Sequence, residues 1–499
     1  MRSSNSTTMT LPSKFLALGL GLLAGTTPSL RAASAPAKPN VLFIAIDDLR
    51  NDLGALGVAY AKTPNLDRLT AAGRLFTNHY AVVPTCGASR CALMRGRYPD
   101  QPAQVTNEAT LLTHRTWAAQ SMPVWWRAQG YQTLALGKIT HYPGNRTGKD
   151  WNEGPEELPG AWDRTWIPQS PWKHAESIMH GFANGKPRVS GENPPWEAFD
   201  GPDDSYPDWW VAGDAVNTLR ELAKSSKPWF FAVGLFKPHL PFAAPKKWFD
   251  LHDPNKIPAP ANTSRPTEPS SWHPSNELRR NYRDSKGRDP DTDPAYAREL
   301  RHAYAAATSY VDAQVGRVLA ELHELGLDDK TIIVVWSDHG FLLGEHAIWA
   351  KHTLYENALR SPLILRVPGL GRPGEQAHAL VETVDIYPTL LDLCGLPAPG
   401  RFDGRSLRPQ LDNPAAPTTK PARGFWSTGD RTIRTERWRL IAHPAREGVP
   451  AGEELFDMVA DPHETRNVAT AQPEAVKQLL AQIDEVPNPS AGKPARTKK

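Results

Sequence analysis

Residues 41–48 read VLFIAIDD, and this stretch decides the fold. An unbroken run of apolar residues, followed at once by two acids, is typical of a strand buried on both faces of a parallel sheet, with polar groups at its end. Similar runs occur at residues 133–138 (TLALGK), 229–233 (WFFAV) and 332–339 (IIVVWSDH). Residues 363–365 (LIL) predict a fifth strand of the same parallel kind.

Helical patterns separate these runs. Apolar residues between 304 and 325 form one stripe at helical spacing, and Gly326 is placed to end that helix. Residues 63–69 (TPNLDRL) read as another helix start, because proline is tolerated in the first turn. Alternating strands and helices predict an α/β fold, with a mostly parallel central sheet flanked by helices. A smaller C-terminal α+β lobe is expected to follow.

The composition is that of an ordinary globular chain. Of 499 residues, 40% are hydrophobic and 22% are charged. The 57 Lys and Arg against 54 Asp and Glu become 54 against 54 without residues 1–35, which hold three cations and no acid. Because the balance has no net basic charge, we do not expect nucleic acid as a partner.

The N-terminal residues predict export. Arg2 and Lys14 precede an apolar stretch at 15–25, and small residues at 33–35 offer a cleavage site. We therefore expect a signal peptide over residues 1–35, cleaved near Ala33–Ala35, and a secreted or periplasmic protein. A buried N-terminal helix and a retained membrane anchor are the alternatives. No later stretch is apolar enough to predict a membrane span.

The remaining chain is expected to divide into a catalytic domain at 36–400, a C-terminal subdomain at 401–486 and a disordered tail at 487–499. The stretch at about 143–210 is rich in Trp, Pro, Gly and Asp, and the stretch at about 254–293 is polar and Pro-rich. Long loops are commonly functional, so we expect two inserts at the rim of the active site. The candidates for stacking on sugar rings are Trp151, Trp162, Trp166 and Trp172.

The strand ends carry the candidate functional groups, since ligands of open α/β sheets bind at the carboxyl ends of the strands. Asp47 and Asp48 follow one strand and Asp338 another, and clustered carboxylates repel one another unless a cation or a proton lies between them. Oxygen ligands favour Ca²⁺ or Mg²⁺, whereas His339 would also suit zinc or a transition metal. The other ionisable groups at these strand ends are Lys138, His141, Lys237 and His239.

The chain has three cysteines, which is too few for a disulfide framework. Cys394 lies in an apolar stretch and is expected to be buried packing, and Cys91 either packs in the same way or pairs with it. Cys86 begins the pentapeptide CGASR at 86–90. Taken alone, a cysteine near an arginine is a buried thiol or an activated thiolate.

This pentapeptide resembles the maturation signature of the sulfatase family, in which Pro or Ala stands two positions after the cysteine and Arg four positions after it. The similarity extends from about residue 39 to about residue 469, and iduronate-2-sulfatase-like members resemble the chain most. The other segments that carry it are 43–50 (FIAIDDLR), 63–67 (TPNLD), 137–141 (GKITH), 237–242 (KPHLPF), 309–312 (SYVD), 337–346 (SDHGFLLGEH) and 349–352 (WAKH).

The resemblance implies an alkaline-phosphatase-like core and a sulfuric ester hydrolase that acts on a sulfated carbohydrate. It implies that a maturation enzyme oxidises Cys86 to formylglycine, whose hydrate is the nucleophile, and that one divalent cation is bound, Ca²⁺ or alternatively Mg²⁺. Arg90 would orient the formylglycine, and His239 and Lys351 would meet the sulfate and the leaving oxygen. The implied cation ligands are Asp47, Asp48, Cys86, Asp338 and His339. The implied catalytic residues are Cys86, Arg90, Lys138, His141, His239 and Lys351.

Two other functions stay open. The same core can hydrolyse phosphomonoesters or phosphonates, because these anions are tetrahedral like sulfate, and an inactive relative would only bind sulfated glycans. The chain also departs from its near relatives at Phe341, where Trp is common, and throughout residues 143–210. The sugar is therefore left open between a 2-sulfated uronic acid and a sulfated algal galactan or fucan unit.

Overall fold

The computed structural model describes residues 38–147, 154–264, 273 and 277–490. The predicted signal peptide with its cleavage site, Trp151, and the tail after residue 490 lie outside these residues. The strands are β1 Asn40–Ile46, β2 Arg74–Tyr80, β3 Gln132–Gly137, β4 Arg164–Trp166, β5 Trp196–Phe199, β6 Trp229–Leu235, β7 Phe242–Pro245, β8 Thr331–Ser337, β9 Leu363–Arg366, β10 Ala377–Glu382, β11 Ala422–Phe425, β12 Arg431–Arg434, β13 Trp438–His443 and β14 Gly452–Asp457.

The central sheet has the strand order β10-β2-β9-β8-β1-β6-β3-β4. β1 lies in its middle and runs parallel to β8 on one side and to β6 on the other. Phe43 of β1 packs against Phe230 and Trp336 on one face, while Ile44 lies in the core of the opposite face. Because both faces are buried, the run is apolar throughout. The four parallel strands predicted first are confirmed.

Helices cover both faces of this sheet: α2, α4 and α11 pack on one, and α6 and α9 on the other. The helices are α1 Pro64–Ala72, α2 Cys86–Arg95, α3 Ala109–Thr113, α4 Met122–Ala128, α5 Ala175–Met179, α6 Pro207–Leu222, α7 Lys246–Asp250, α8 Glu277–Asn281, α9 Pro294–Glu324, α10 Glu356–Leu359, α11 Thr383–Cys394, α12 Arg408–Asp412 and α13 Pro473–Ile483. α1 and α9 confirm the predicted helices. The Asp293 side chain caps α9 by accepting the Ala295 and Tyr296 N–H groups, and Gly326 follows its end at φ 64°.

The fifth predicted strand has the opposite direction. β9 lies antiparallel to both of its neighbours, β8 and β2. Parallel neighbours need a crossover connection, usually a helix across the face of the sheet. The chain between β8 and β9 instead stays at the carboxyl edge of the sheet and contains only short helical turns, α10 among them. β9 therefore enters from that edge and runs back.

A separate antiparallel sheet of order β11-β12-β13-β14 forms a C-terminal lobe. Leu479 and Ile483 of α13 pack against Ile433, Leu440 and Leu455 of this sheet. The predicted fold class, a mostly parallel core with a smaller C-terminal α+β lobe, is therefore confirmed. The boundaries at 36–400 and 401–486 remain predictions.

Both predicted inserts contain regular structure. The stretch at 143–210 supplies β4, which pairs with β3, and β5, which pairs with β7. Three of its four candidate tryptophans do not support sugar stacking, since Trp162 and Trp172 are buried and Trp166 stacks on Phe231 of the core. The stretch at 254–293 supplies α8. Among the described residues, no helix combines the length and apolarity needed to cross a bilayer.

Candidate active site

The ends of β1, β6 and β8 lie level at one edge of the sheet. Ile46, the last residue of β1, pairs with Leu235 of β6 and with Ser337 of β8. The residues that follow therefore meet, and the backbone N–H of Asp48 donates to Asp338 Oδ1 at 3.1 Å. Parallel topology thus brings the predicted strand-end groups into one buried pocket.

Asp48 has a left-handed backbone conformation, with φ 61°. The hydroxyl of Tyr304 on α9 fixes this turn, since it donates to the Asp48 carbonyl at 2.7 Å and accepts the Arg50 N–H at 2.9 Å. Positive φ at a residue other than glycine costs energy, and strained residues of this kind cluster at functional sites. The turn lets Asp47 and Asp48, consecutive in the chain, both serve the same pocket.

Cys86 is the first residue of α2 and is buried. Its Sγ lies 3.3 Å from His339 Nε2 and 3.8 Å from Asp48 Oδ1. The next residue must be glycine, because a Cβ at Gly87 would overlap the Asn107 backbone. The Asn107 side chain also accepts the Gly87 N–H at 3.1 Å. This close approach fixes the position of the start of α2. Cys86 therefore lies next to the acids of the pocket.

Arg90, one turn further along α2, joins the acids of two strands. Its Nε donates to Asp338 Oδ2 and its Nη2 to Asp47 Oδ1, both at 3.0 Å. Its Nη1 donates to the carbonyls of Lys138 and Ile139. The side chain is fully buried, so these contacts are not weakened by solvent.

Two lysines neutralise the remaining carboxylate oxygens. Lys138 Nζ donates to Asp47 Oδ2 at 2.6 Å, and Lys351 Nζ donates to Asp48 Oδ1 and Oδ2 at 3.0 and 2.9 Å. Lys351 Nζ also lies 3.4 Å from Oε1 of Glu277, the first residue of α8. Burial alone would lower the pKa of each lysine, but the neighbouring carboxylates raise it overall, so both remain cationic.

His339 and His239 have fixed ring orientations. His339 Nδ1 donates to the Gly340 carbonyl at 2.9 Å, and His239 Nδ1 donates to the Leu240 carbonyl at 2.7 Å. In each neutral ring Nε2 is therefore the unprotonated nitrogen. His339 Nε2 faces Cys86, and His239 Nε2 lies 4.0 Å from Asp48 Oδ2. Burial lowers the pKa of both rings, which keeps them neutral at pH 7.

His141 lies beside the same pocket and is buried. Its Nδ1 has no hydrogen-bond partner among the described residues. Burial lowers the pKa of His141, and the charge of Lys138 lowers it further. A neutral ring with a free nitrogen can accept a proton from a group that enters the pocket.

The burial and close spacing of the acids in this pocket disfavour their negative charges. Burial raises the pKa of Asp48, and the nearby carboxylates of Asp47, Glu277 and Asp338 raise it further. Burial acts on Asp47 in the same direction, but the adjacent cations, Lys138 first, lower its pKa overall. A bound cation would relieve this crowding.

The side chains at this edge suit one divalent cation. Carboxylate oxygens are the ligands that Ca²⁺ and Mg²⁺ prefer, and His339 Nε2 is oriented as a nitrogen ligand by its bond to the Gly340 carbonyl. Ligand atoms within 4.8 Å of one another come from Asp47, Asp48, Cys86 and His239 in one group, and from Cys86, Asp338 and His339 in another.

The structure adds two residues to the predicted site. Glu277 contacts Lys351, and the ring centroid of His180 lies 5.1 Å from that of His239. The structure also gives the contacts of Lys237, which the sequence analysis named as a strand-end group. Its Nζ donates to the carbonyl of His239 at 3.2 Å and to that of Pro241 at 2.7 Å. The sequence around Glu277 and His180 holds no comparable signal.

The alternatives for the other cysteines are settled. Cys91 and Cys394 are both free and buried, so they pack without forming a disulfide. Burial raises the pKa of each thiol to about 11, which makes both unreactive at neutral pH.

The family can now be assigned. Residues 39–396 match the sulfatase family as a whole, and residues 344–488 match the C-terminal region of N-sulphoglucosamine sulphohydrolase. The chain belongs to the sulfatase family. It is a sulfuric ester hydrolase, and the strand-end pocket lies within the first of the two matched regions.

Known relatives agree with this sulfatase assignment. A sulfatase of Formosa agariphila is 32% identical over 93% of this chain and 91% of its own length. The iduronate 2-sulfatase of Homo sapiens is 31% identical over 74% of this chain and 72% of its own length. The solved phosphonate monoester hydrolase of Agrobacterium radiobacter has a TM-score of 0.69 at 24% identity, covering 90% of this chain and 95% of that one. At that identity it shows the fold alone, which confirms the predicted alkaline-phosphatase-like core.

Proposed function

We propose that this sulfatase removes an O-sulfate group from a sulfated carbohydrate, after a maturation enzyme has oxidised Cys86 to formylglycine. One Ca²⁺, with Mg²⁺ as the alternative, would be held by the side chain at position 86 together with Asp47, Asp48, Asp338 and His339. When bound, the hydrated formylglycine would supply the hydroxyl that attacks sulfur, and the cation would lower the pKa of that hydroxyl.

One observation carries this proposal. Cys86 Sγ lies 3.3 Å from His339 Nε2 and 3.8 Å from Asp48 Oδ1, inside a pocket of buried acids and lysines. Burial raises the pKa of the Cys86 thiol, and the charge of Asp47 raises it further, so an unmodified thiol here is a poor nucleophile. An oxygen at this position suits a hard cation far better than sulfur does.

The fixed charges of the pocket support sulfate chemistry. Lys138 and Lys351 would meet the negative charge of the sulfuryl oxygens, as both remain cationic. Arg90 holds Asp47 and Asp338 in place, so the charges are oriented before the reaction begins. Electrostatic groups fixed in advance are commonly the largest contribution to catalysis.

Two histidines would carry the proton transfers. His239 Nε2 is unprotonated in the neutral ring, so His239 would first take up a proton as the anionic substrate binds. Nε2 would then protonate the leaving alcohol oxygen, with Lys351 as the alternative donor. His141 would take a proton from the side chain at position 86 as sulfate is released, because its Nδ1 is buried and has no partner among the described residues. The two rings would thus serve the two halves of the reaction.

The substrate class rests on similarity to the iduronate 2-sulfatase, whose name indicates a sulfated sugar acid. A signal peptide at residues 1–35 would place the enzyme where such polysaccharides occur, in the periplasm or outside the cell. The sugar unit and the sulfated position stay open between a 2-sulfated uronic acid and a sulfated algal galactan or fucan unit.

Peptide mass spectrometry and sulfate release test the proposal together. Trypsin should release residues 75–90, and in active protein the side chain at 86 should have the mass of an aldehyde. Sulfate release from sulfated oligosaccharides should stop when the cation is chelated and return when Ca²⁺ is added. An unmodified thiol in fully active protein would refute the formylglycine proposal.

Matched variants separate the remaining possibilities. Cys86→Ala should abolish sulfate release, whereas Cys91→Ala, which changes a buried thiol one turn further along α2, should keep it. Faster turnover of an aryl phosphate than of an aryl sulfate would favour the phosphomonoester or phosphonate hydrolase. Glycan binding by mature wild-type protein without any sulfate release would favour the inactive relative.

A further inference from the structure

A second group of side chains that can serve as metal ligands is made of residues that do not belong to the strand-end pocket. His443 ends β13 and Glu454 lies on the neighbouring β14, both in the C-terminal sheet, while His273 comes from the stretch at 254–293. His273 Nε2 lies 2.6 Å, and His443 Nε2 2.9 Å, from the same oxygen, Glu454 Oε2. All three side chains are buried, and the active-site proposal uses none of them.

In each candidate ligand, the nitrogen or oxygen atom that does not face the cluster lies within hydrogen-bond distance of another residue. Asp430 Oδ1 lies 2.7 Å from His443 Nδ1, and the Tyr355 hydroxyl donates to Glu454 Oε1 at 2.9 Å. Thr353 Oγ1 lies 3.2 Å from His273 Nδ1. Zinc-binding histidines commonly donate their other N–H to a carboxylate or another oxygen, which orients the free nitrogen toward the metal.

The three candidate ligand atoms converge. One atom from each of His273, His443 and Glu454 lies within 4.8 Å of the others. Protons on the two Nε2 atoms would let both rings donate to Glu454 Oε2, and a metal ion that replaces those protons would take all three atoms as ligands.

We propose that His273 Nε2, His443 Nε2 and Glu454 Oε2 bind a zinc ion. Two imidazoles and one carboxylate are a recurrent zinc ligand set, and a water molecule would complete the tetrahedron. The ion joins the stretch at 254–293 to the C-terminal sheet. It also stabilises residues 353–355, which lie close after Lys351 in the chain, because Thr353 and Tyr355 form hydrogen bonds with its ligands.

Metal analysis of two single variants distinguishes this ion from the active-site cation. Full-length protein is equilibrated with zinc and calcium, desalted, and measured by inductively coupled plasma mass spectrometry. Wild type and the control His323→Gln, which changes an exposed histidine of α9, should hold about one zinc per chain. His443→Gln should lose the zinc and keep the calcium, whereas Asp338→Asn should lose calcium and keep zinc.

Zinc in both wild type and His443→Gln, or in neither, would overturn the proposal, and the second outcome would leave protons as the charge in the cluster. His273→Gln repeats the test if His443→Gln does not fold, because His273 lies outside the C-terminal sheet. Isothermal titration of chelator-treated wild type with zinc alone needs no variant, and absence of heat would also overturn the site. Calcium at Asp338 is measured separately, so failure of the proposed active-site cation would not be confused with failure of this site.

Discussion

Replacing Arg90 with methionine removes the group that joins the acids of two strands. The guanidinium is fully buried and donates to Asp338 Oδ2 and Asp47 Oδ1, both at 3.0 Å. Removing one partner of a buried ion pair costs about 3–5 kcal/mol, because the other charge is left unpaired. In this variant Lys138 still pairs with Asp47, so the loss of the guanidinium affects Asp338 most. We expect Arg90→Met to lower the free energy of unfolding by about 3–5 kcal/mol in cation-free protein at pH 8.

Urea unfolding of wild type, Arg90→Met and Arg90→Lys measures this loss. Lysine keeps the charge but cannot bridge both acids, so its loss should be about half as large. Without the guanidinium the acids bind protons more readily in the folded state, so the Arg90→Met loss should shrink at pH 5. Added Ca²⁺ should shrink it as well. A loss below about 1 kcal/mol at pH 8 without cation would refute the idea that Arg90 holds the pocket together.

Gly87→Ala would force a Cβ against the Asn107 backbone and should destabilise the protein by about 1–3 kcal/mol. Calorimetry should show a lower midpoint, and an unchanged one would mean that the start of α2 can move. Lys237→Met removes the ammonium that bonds the His239 carbonyl, so kcat for sulfate release should fall more than KM rises, and Lys237→Arg should restore part of it. His79 is buried, and burial lowers its pKa to about 4. The unfolded chain therefore binds the proton first, so stability is complete above about pH 6.5 and falls by about 3 kcal/mol toward pH 4. Urea unfolding across this range should show a fall that is about 3 kcal/mol smaller in His79→Gln than in wild type.

The strands that could be predicted are those with both faces buried, because only they are apolar throughout. β2 was not predicted, since it carries Asn78 and His79 near its end, where the run loses its apolar character. The direction of β9 depends on the path of the chain between β8 and β9. No property of residues 363–365 encodes that path, so the predicted parallel direction was wrong.

The candidate site was predictable to the extent that sheet topology determines it. Asp47, Asp48 and Asp338 could be placed together because neighbouring parallel strands end at the same edge. Glu277 and His180 reach the pocket from long segments that have no period and no motif, so their position depends on how those segments fold. The contact of Lys351 with Glu277 belongs to this second kind.

The burial of Cys86 has a consequence for the life of the protein in the cell. The thiol is 1% exposed and begins a helix whose next residue touches the Asn107 backbone. An oxidising enzyme must surround the peptide that it modifies, which a side chain enclosed in this way does not allow. If Cys86 is oxidised as we propose, the aldehyde would therefore have to form before the protein folds, and the two processes would compete in time. A molecule that folded first would keep its thiol, so the active fraction of a preparation would depend on the relative rates of oxidation and folding.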